Sequence, residues 1–224
     1  FSLNRKDARI FLELDQLYKK LGYSFKERLA KYDEDPSLAE SRDDLYIEYI
    51  TLMNMCGEYE RAYRCIMGRR FHPWEGGEGK VPAQYRLALT ELAKRALAAG
   101  DAQKAAGLLR RATVYPHSLG EGKLAGAQEN DIYYYLGLAE RRLGNAQESE
   151  RCLKKACVGL GEPAGMMYYN DQPPEMIFYQ GLAHRRLATS MGRLDASTSW
   201  STMRNSICRT MSRSIISRCR CPTC

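Results

Sequence analysis

The chain has 224 residues, 44% apolar and 27% charged, which suits one large domain or two small ones and excludes collagen, a disulfide-dense miniprotein and wholesale disorder. No apolar run reaches the roughly 18 residues that a membrane-spanning helix needs, and no apolar signal core follows Phe1. The net charge of +7 is uneven: residues 188–224 hold six Arg, no Lys and one acid, Asp195, while residues 1–187 carry only +2, so the basic balance is poor support for a nucleic-acid partner.

Aligning the chain with itself shows a repeated unit of one apolar-periodic helix, a turn at Gly and a second helix with small residues on one face. The first copy spans 11–32, turning at Gly22, with Ser24 and Glu27 placed as a capping box. The second spans 46–67 and turns at Gly57. The third spans 89–112, turning at Gly100 before the N-cap Asp101, and the fourth spans 133–156, turning at Gly144 before the N-cap Asn145. A fifth first helix occupies 177–188, with Gly181 standing 44 residues after Gly137. The turn glycines are spaced by 35, 43 and 44 residues. Tyr18, Tyr46, Leu89, Leu92, Tyr133 and Leu136 form the first-helix face. Ala62, Ala105 and Ser149 are small where helices must approach closely, and Ile66, Leu109 and Leu153 fill the space between. The pattern predicts an all-α solenoid of about five antiparallel helix pairs over residues 1–187.

Cys56, Cys65, Cys152 and Cys157 fall within these helices with no shared framework. They read as free thiols of a reducing compartment, which points to the cytoplasm.

The added length of the repeats lies in loops. One runs from Arg70 through His72, Trp74, Glu75 and Glu78 to Lys80, and the next from Pro116 through His117 and Glu121 to Lys123. Both contain Gly-Glu-Gly-Lys, at 77–80 and 120–123, 43 residues apart. A third begins at Gly161 and continues through Tyr168, Tyr169, Asn170 and Asp171. All three join a second helix to the next first helix, so stacked repeats should set them side by side. The tetrapeptide is not a phosphate loop, because Trp74 stands where an earlier Gly is needed and Val81 or Leu124 follows the Lys. Two readings remain open. The loops are repeated turns leading into helices, with Gly for positive φ and Glu near a helix N-terminus. Alternatively they form a binding rim, with Trp74, Tyr168 and Tyr169 as apolar platforms and His72, Glu75, Glu78, Lys80, His117, Glu121, Lys123, Asn170 and Asp171 as polar partners.

The Leu-Gly-x-Ala run at 136–139, the Gly turn, the small residue five positions later, the Leu four beyond it and Ala156 together resemble the tetratricopeptide repeat. The departure is the period, since that repeat has about 34 residues. The resemblance implies a right-handed superhelix with a groove lined by first helices. The run Phe71–Lys80, with Leu119–Lys123 and Tyr168–Glu175, further resembles large bacterial multidomain proteins that carry a domain of unknown function related to galactose mutarotase-like β-sandwiches. That resemblance covers about residues 1–187. It implies a C-terminal helical-repeat region with a carbohydrate-related role, in which the chain is a piece of a longer protein without its β-sandwich.

Two weaker constellations complete the reading. His72 and His117 with Glu75 and Glu121 have zinc-binding side chains, but nothing in the spacing brings them together, and we expect no metal and no cofactor. Arg141 and Arg142 stand 44 residues before Arg185 and Arg186. Stacked, they would offer a basic strip to an acidic peptide, or a solvated face paired with Glu148 and Glu150. Protein is therefore the expected partner, in another molecule or in a further domain of the same polypeptide, with carbohydrate second and neither nucleic acid nor membrane expected.

Residues 188–224 leave the pattern: Ser, Thr, Arg and Cys supply 23 of 37 positions. Arg193, Ser197 and Trp200 stand where the next second helix should be small, aliphatic and small. Cys208, Cys219, Cys221 and Cys224 make a weak metal set. The segment reads as a poorly ordered tail and as the product of a shifted reading frame.

Overall fold

The computed structural model describes residues 7–161 and 173–190. Among the described residues all regular structure is helical. The tail beyond residue 190, with its four cysteines, lies outside them.

The helices fall where the repeats place them: α1 (Ala8–Lys20) and α2 (Phe25–Asp33), α4 (Asp43–Met55) and α5 (Tyr59–Met67), α6 (Lys80–Ala98) and α7 (Ala102–Ala112), α8 (Asn130–Arg142) and α9 (Ala146–Ala156), then α10 (Pro174–Ser190). A short helix, α3 (Pro36–Glu40), stands between the first two pairs. The repeat pattern does not announce it, although Asp35 as N-cap and Pro36 at the first helical position are ordinary start signals.

Each hairpin turn has one cause. Gly22, Gly57, Gly100 and Gly144 have φ of 79, 82, 85 and 82°. In each, the glycine and the next residue donate their amides back into the first helix, as Gly100 does to Leu97 and Asp101 to Ala96. This satisfies carbonyls that the ending helix would otherwise orphan. Ser24 and Glu27 form the capping box, and Asp101 accepts from the Lys104 amide at 2.8 Å. Asn145 does not cap as expected. Its side-chain amide donates 2.8 Å to Glu140, a fully buried carboxylate that also holds Arg110. A buried carboxyl oxygen left without a donor costs more than a helix end that water can reach.

The described residues divide into two compact units, those within 7–92 with 114–123, and those within 93–113 with 124–161 and 173–190, so α6 gives its first part to one and its last part to the other. In the first unit an aromatic row packs α1, α2 and α4: Phe11 meets Tyr32 edge-on at 4.8 Å, and Tyr32 stacks on Tyr49 at 5.3 Å. Asp15 of α1 and Arg28 of α2 form a buried bidentate pair at 2.8 and 2.7 Å. Its geometry satisfies both charges where solvent cannot.

In the second unit the repeat signature shows its purpose. A Cβ on Gly137 would lie 2.8 Å from Leu153 Cγ and 3.2 Å from the Ser149 carbonyl, and the Ser149 hydroxyl donates 2.7 Å to the Gly137 carbonyl. The absent side chain lets α8 and α9 approach. Ala105 and Leu109 are fully buried in this unit, and Ala62 and Ile66 in the first. Burial pushes the Cys152 thiol up to about 12 and the Cys157 thiol to about 11, which keeps both as unreactive thiols.

No helix among the described residues is long and apolar enough to cross a membrane.

Candidate functional site

The site is built in the first unit from the loops after α5 and α7. The first loop is anchored where it starts. Arg69 reaches Asp43 at the start of α4 with Nε at 2.6 Å and the Glu40 carbonyl with Nη1 at 2.6 Å, and its guanidinium lies 4.9 Å from the centre of the Tyr46 ring. Asp43 also accepts the His72 amide at 2.9 Å and faces His72 Nδ1 at 3.2 Å. Burial opposes the charge on Asp43, but the His72 amide and the Arg69 guanidinium prevail and hold its carboxyl below the ordinary aspartate value.

Two hydrogen bonds join the loops. The Phe71 amide donates 2.8 Å to the Ser118 carbonyl, and the Gly79 amide donates 2.8 Å to Glu121 Oε2. Around them Phe71 and Leu119 are buried at 2% and 1% exposure, so a small apolar core lies beneath the loops. Gly120 must be glycine: its φ is 78°, and a Cβ would lie 2.7 Å from the Phe71 carbonyl oxygen. The neighbouring of loops one repeat apart, expected from their spacing, is therefore present for this pair.

The two Gly-Glu-Gly-Lys copies do not share a conformation. In the first, Gly79 has φ of 73° and Lys80 opens α6. In the second it is Gly120 that has positive φ, closing a 3-10 turn over His117–Leu119, and α8 begins only at Asn130. The reading of both copies as turns into a helix holds for the first alone. In the second, contact with Phe71 sets the backbone, and Glu121 serves the other loop rather than its own helix.

Two clefts open on this surface. One, of about 380 Å³, is lined by Arg70, Phe71, His72, Pro73, Tyr115, His117, Gly120, Glu121 and Gly122. The other, of about 310 Å³, is lined by Pro73, Trp74, Glu75, Gly77, Glu78 and Glu121. Pro73 and Glu121 belong to both, so the clefts adjoin. Trp74 is half-buried, and its indole lies where a Cβ on Gly77 would be, 2.2 Å from the nearest ring atom. Gly77 is thus the floor beneath the indole.

Of the residues expected on a rim, His72, Trp74, Glu75, Glu78, His117 and Glu121 line these clefts. Lys80 and Lys123 are exposed and line neither. Tyr168, Tyr169, Asn170 and Asp171 lie outside the described residues. Sequence reasoning does not single out Tyr115, whose one signal is an aromatic before Pro116 at the loop's start. His72 and His117 do share a cleft, yet among the described residues no three His, Cys, Asp or Glu side chains gather to hold a metal ion.

The alternative strip lies elsewhere. Arg141, Arg142, Arg185 and Arg186 are all exposed, as is His184. Arg142 donates 2.5 Å to the Leu97 carbonyl at the end of α6, so its guanidinium serves a helix terminus. Glu148 and Glu150 pair with Arg151 and Lys154 of their own helix rather than with Arg141 and Arg142, because residues three and four apart on a helix already face each other.

No protein-family model matches the chain, and no solved structure matches it at a significant level.

Proposed function

We propose that this chain is a helical-repeat interaction module of the tetratricopeptide type it resembles, stacked as a solenoid, and that it binds a protein partner through the rim made by loops 70–80 and 115–123. The partner is another molecule or a further domain of the same, larger bacterial polypeptide. One observation carries the reading. Two loops separated by a whole repeat are hydrogen-bonded to each other and together line two adjoining clefts. Turns that merely reverse the chain need no such cross-connection, and long ordered loops in compact arrays commonly carry recognition. The four uncrosslinked cysteines among the described residues support a reducing, cytoplasmic setting.

A second reading has its own observation. Trp74 presents an indole beside Glu75, Glu78 and Glu121, the pairing of apolar platform and carboxylate that also suits a sugar ring and its hydroxyls. This fits the carbohydrate-related role implied by the resemblance, with the rim forming part of a carbohydrate-binding or glycan-active enzyme site together with a β-sandwich domain of the larger polypeptide. The acidic-peptide strip ranks last, because Arg142 is already engaged.

The test is a titration of the whole chain against panels of peptides and oligosaccharides, repeated with Trp74→Ala. The proposal expects ligands whose affinity falls at least about tenfold in the variant. Peptide ligands support the first reading and sugars the second. Identical binding by both proteins, or none across both panels, would leave the rim a structural joint.

A further inference from the structure

We infer that the two clefts of the rim divide by charge, and that the segment they take is a short peptide stretch carrying one carboxylate and one Lys or Arg a few residues apart. This deepens the rim reading and rests on it.

The larger cleft contains Arg70, His72 and His117. Arg70 makes no hydrogen bond or ion pair among the described residues, and neither does the His117 ring. The nearby Arg69 and Asp43 neutralise each other, so Arg70 is the uncommitted full charge of this wall. Glu121 is the one carboxylate lining it, and its Oε2 is already turned to the Gly79 amide.

The smaller cleft has the opposite character. Glu75, Glu78 and Glu121 line it together with Trp74, and no cation lines it. Glu75 has no partner among the described residues, while Glu78 accepts only the Gly76 amide at 3.3 Å. Carboxylates beside an aromatic face attract an ammonium or guanidinium through both charge and ring quadrupole.

The clefts share a wall, so a ligand reaching one presents its neighbouring atoms to the other. A polyanion would meet three carboxylates, and a polycation would meet Arg70. A neutral sugar would leave both walls without a counter-charge. A mixed segment matches both, and complementary potential of this kind selects partners by rejecting the wrong sign.

The probe is a set of fluorescent hexapeptides, acetylated and amidated to remove terminal charge. Each carries one Glu and one Arg separated by zero to three neutral residues, with Glu-only, Arg-only and neutral controls. The whole chain should bind the best mixed peptide at least about tenfold more tightly than any control, with affinity falling as salt rises. Arg70→Glu should reduce the mixed peptide to the level of the Arg-only control, and Glu75→Lys with Glu78→Lys should reduce it to the Glu-only level. All these positions are exposed, and unchanged helical circular dichroism would confirm intact folding.

Controls that bind as well as mixed peptides would overturn the inference, and so would indifference to Arg70→Glu. Binding of neutral sugars that depends on Trp74 but not on Arg70 would overturn it while leaving the rim standing. Ligands of every class indifferent to Trp74→Ala would remove both.

Discussion

The hairpin turns and the long loops of this chain both repeat in sequence, but they repeat in different senses. The four turns share little beyond a glycine, yet all adopt one geometry, with φ between 79 and 85° and the same pair of return hydrogen bonds. The two Gly-Glu-Gly-Lys segments are identical over four residues, yet positive φ falls on the third residue of one and the first of the other. A turn that ends a helix is settled by the helix it ends, because orphaned carbonyls lie within reach of the next two amides. A loop is settled by what it meets. The second copy meets the Phe71 carbonyl, and the first meets the Glu121 carboxylate.

That contrast can be broken most forcefully at Gly120. Gly120→Ala adds a left-handed penalty and a Cβ 2.7 Å from backbone, and we expect about 3 kcal/mol of destabilisation by chemical denaturation. A loss under about 1 kcal/mol would show that the loops are not in tight contact. Gly137→Ala tests helix packing instead. Its clash is mainly with the movable Leu153 side chain, so about 2 kcal/mol is expected, and a neutral result would contradict the close approach of α8 and α9.

Gly144→Ala isolates backbone conformation, since φ is 82° and nothing lies within 4 Å. About 1 kcal/mol is expected. Gly122→Ala is the sharpest control. It corresponds to Gly79 in the repeat, but it lacks positive φ and has no close neighbour, so stability should stay within about 0.5 kcal/mol. Gly79→Ala should cost more than Gly122→Ala, and equal effects would erase the distinction between the copies.

The smallest expected effect is a dependence on pH. The Asp43 carboxyl is lowered in the folded chain, so its contribution is complete above the ordinary aspartate value and is lost as pH falls below that value through the lowered one. In Asp43→Asn that part of the acid sensitivity should vanish. A wild-type and variant difference that stayed constant from neutral pH down to strong acid would contradict the anchoring of the first loop by Asp43.

The same contrast explains what the sequence made legible. Helix positions, turn glycines, the Ser24–Glu27 box and the small residues at 62, 105 and 149 are set by local periodicity, and they stand where the pattern puts them. The side-chain partner of Asn145 was hidden because it depends on Glu140 being buried and shared with Arg110, which no local pattern reveals. The pairing of Asp15 with Arg28 was hidden for a similar reason, since it depends on α1 and α2 burying both charges against each other. At the rim, spacing placed the two loops together, and six of the proposed residues do line the clefts. Lys80 opens α6 and lines neither cleft, nor does Lys123, while Tyr115 lines the larger one, and identical tetrapeptides do not reveal this.

Binding at the rim requires the two loops to form one built surface rather than two independent turns. Residue-resolved amide hydrogen exchange tests this directly, at Phe71 and Gly79. Both amides should be protected in the whole chain, with Gly79 alone losing protection in Glu121→Ala. Free exchange of both in the unaltered protein, or protection of Gly79 that survives Glu121→Ala, would contradict a joined rim and remove the surface on which the proposed binding stands.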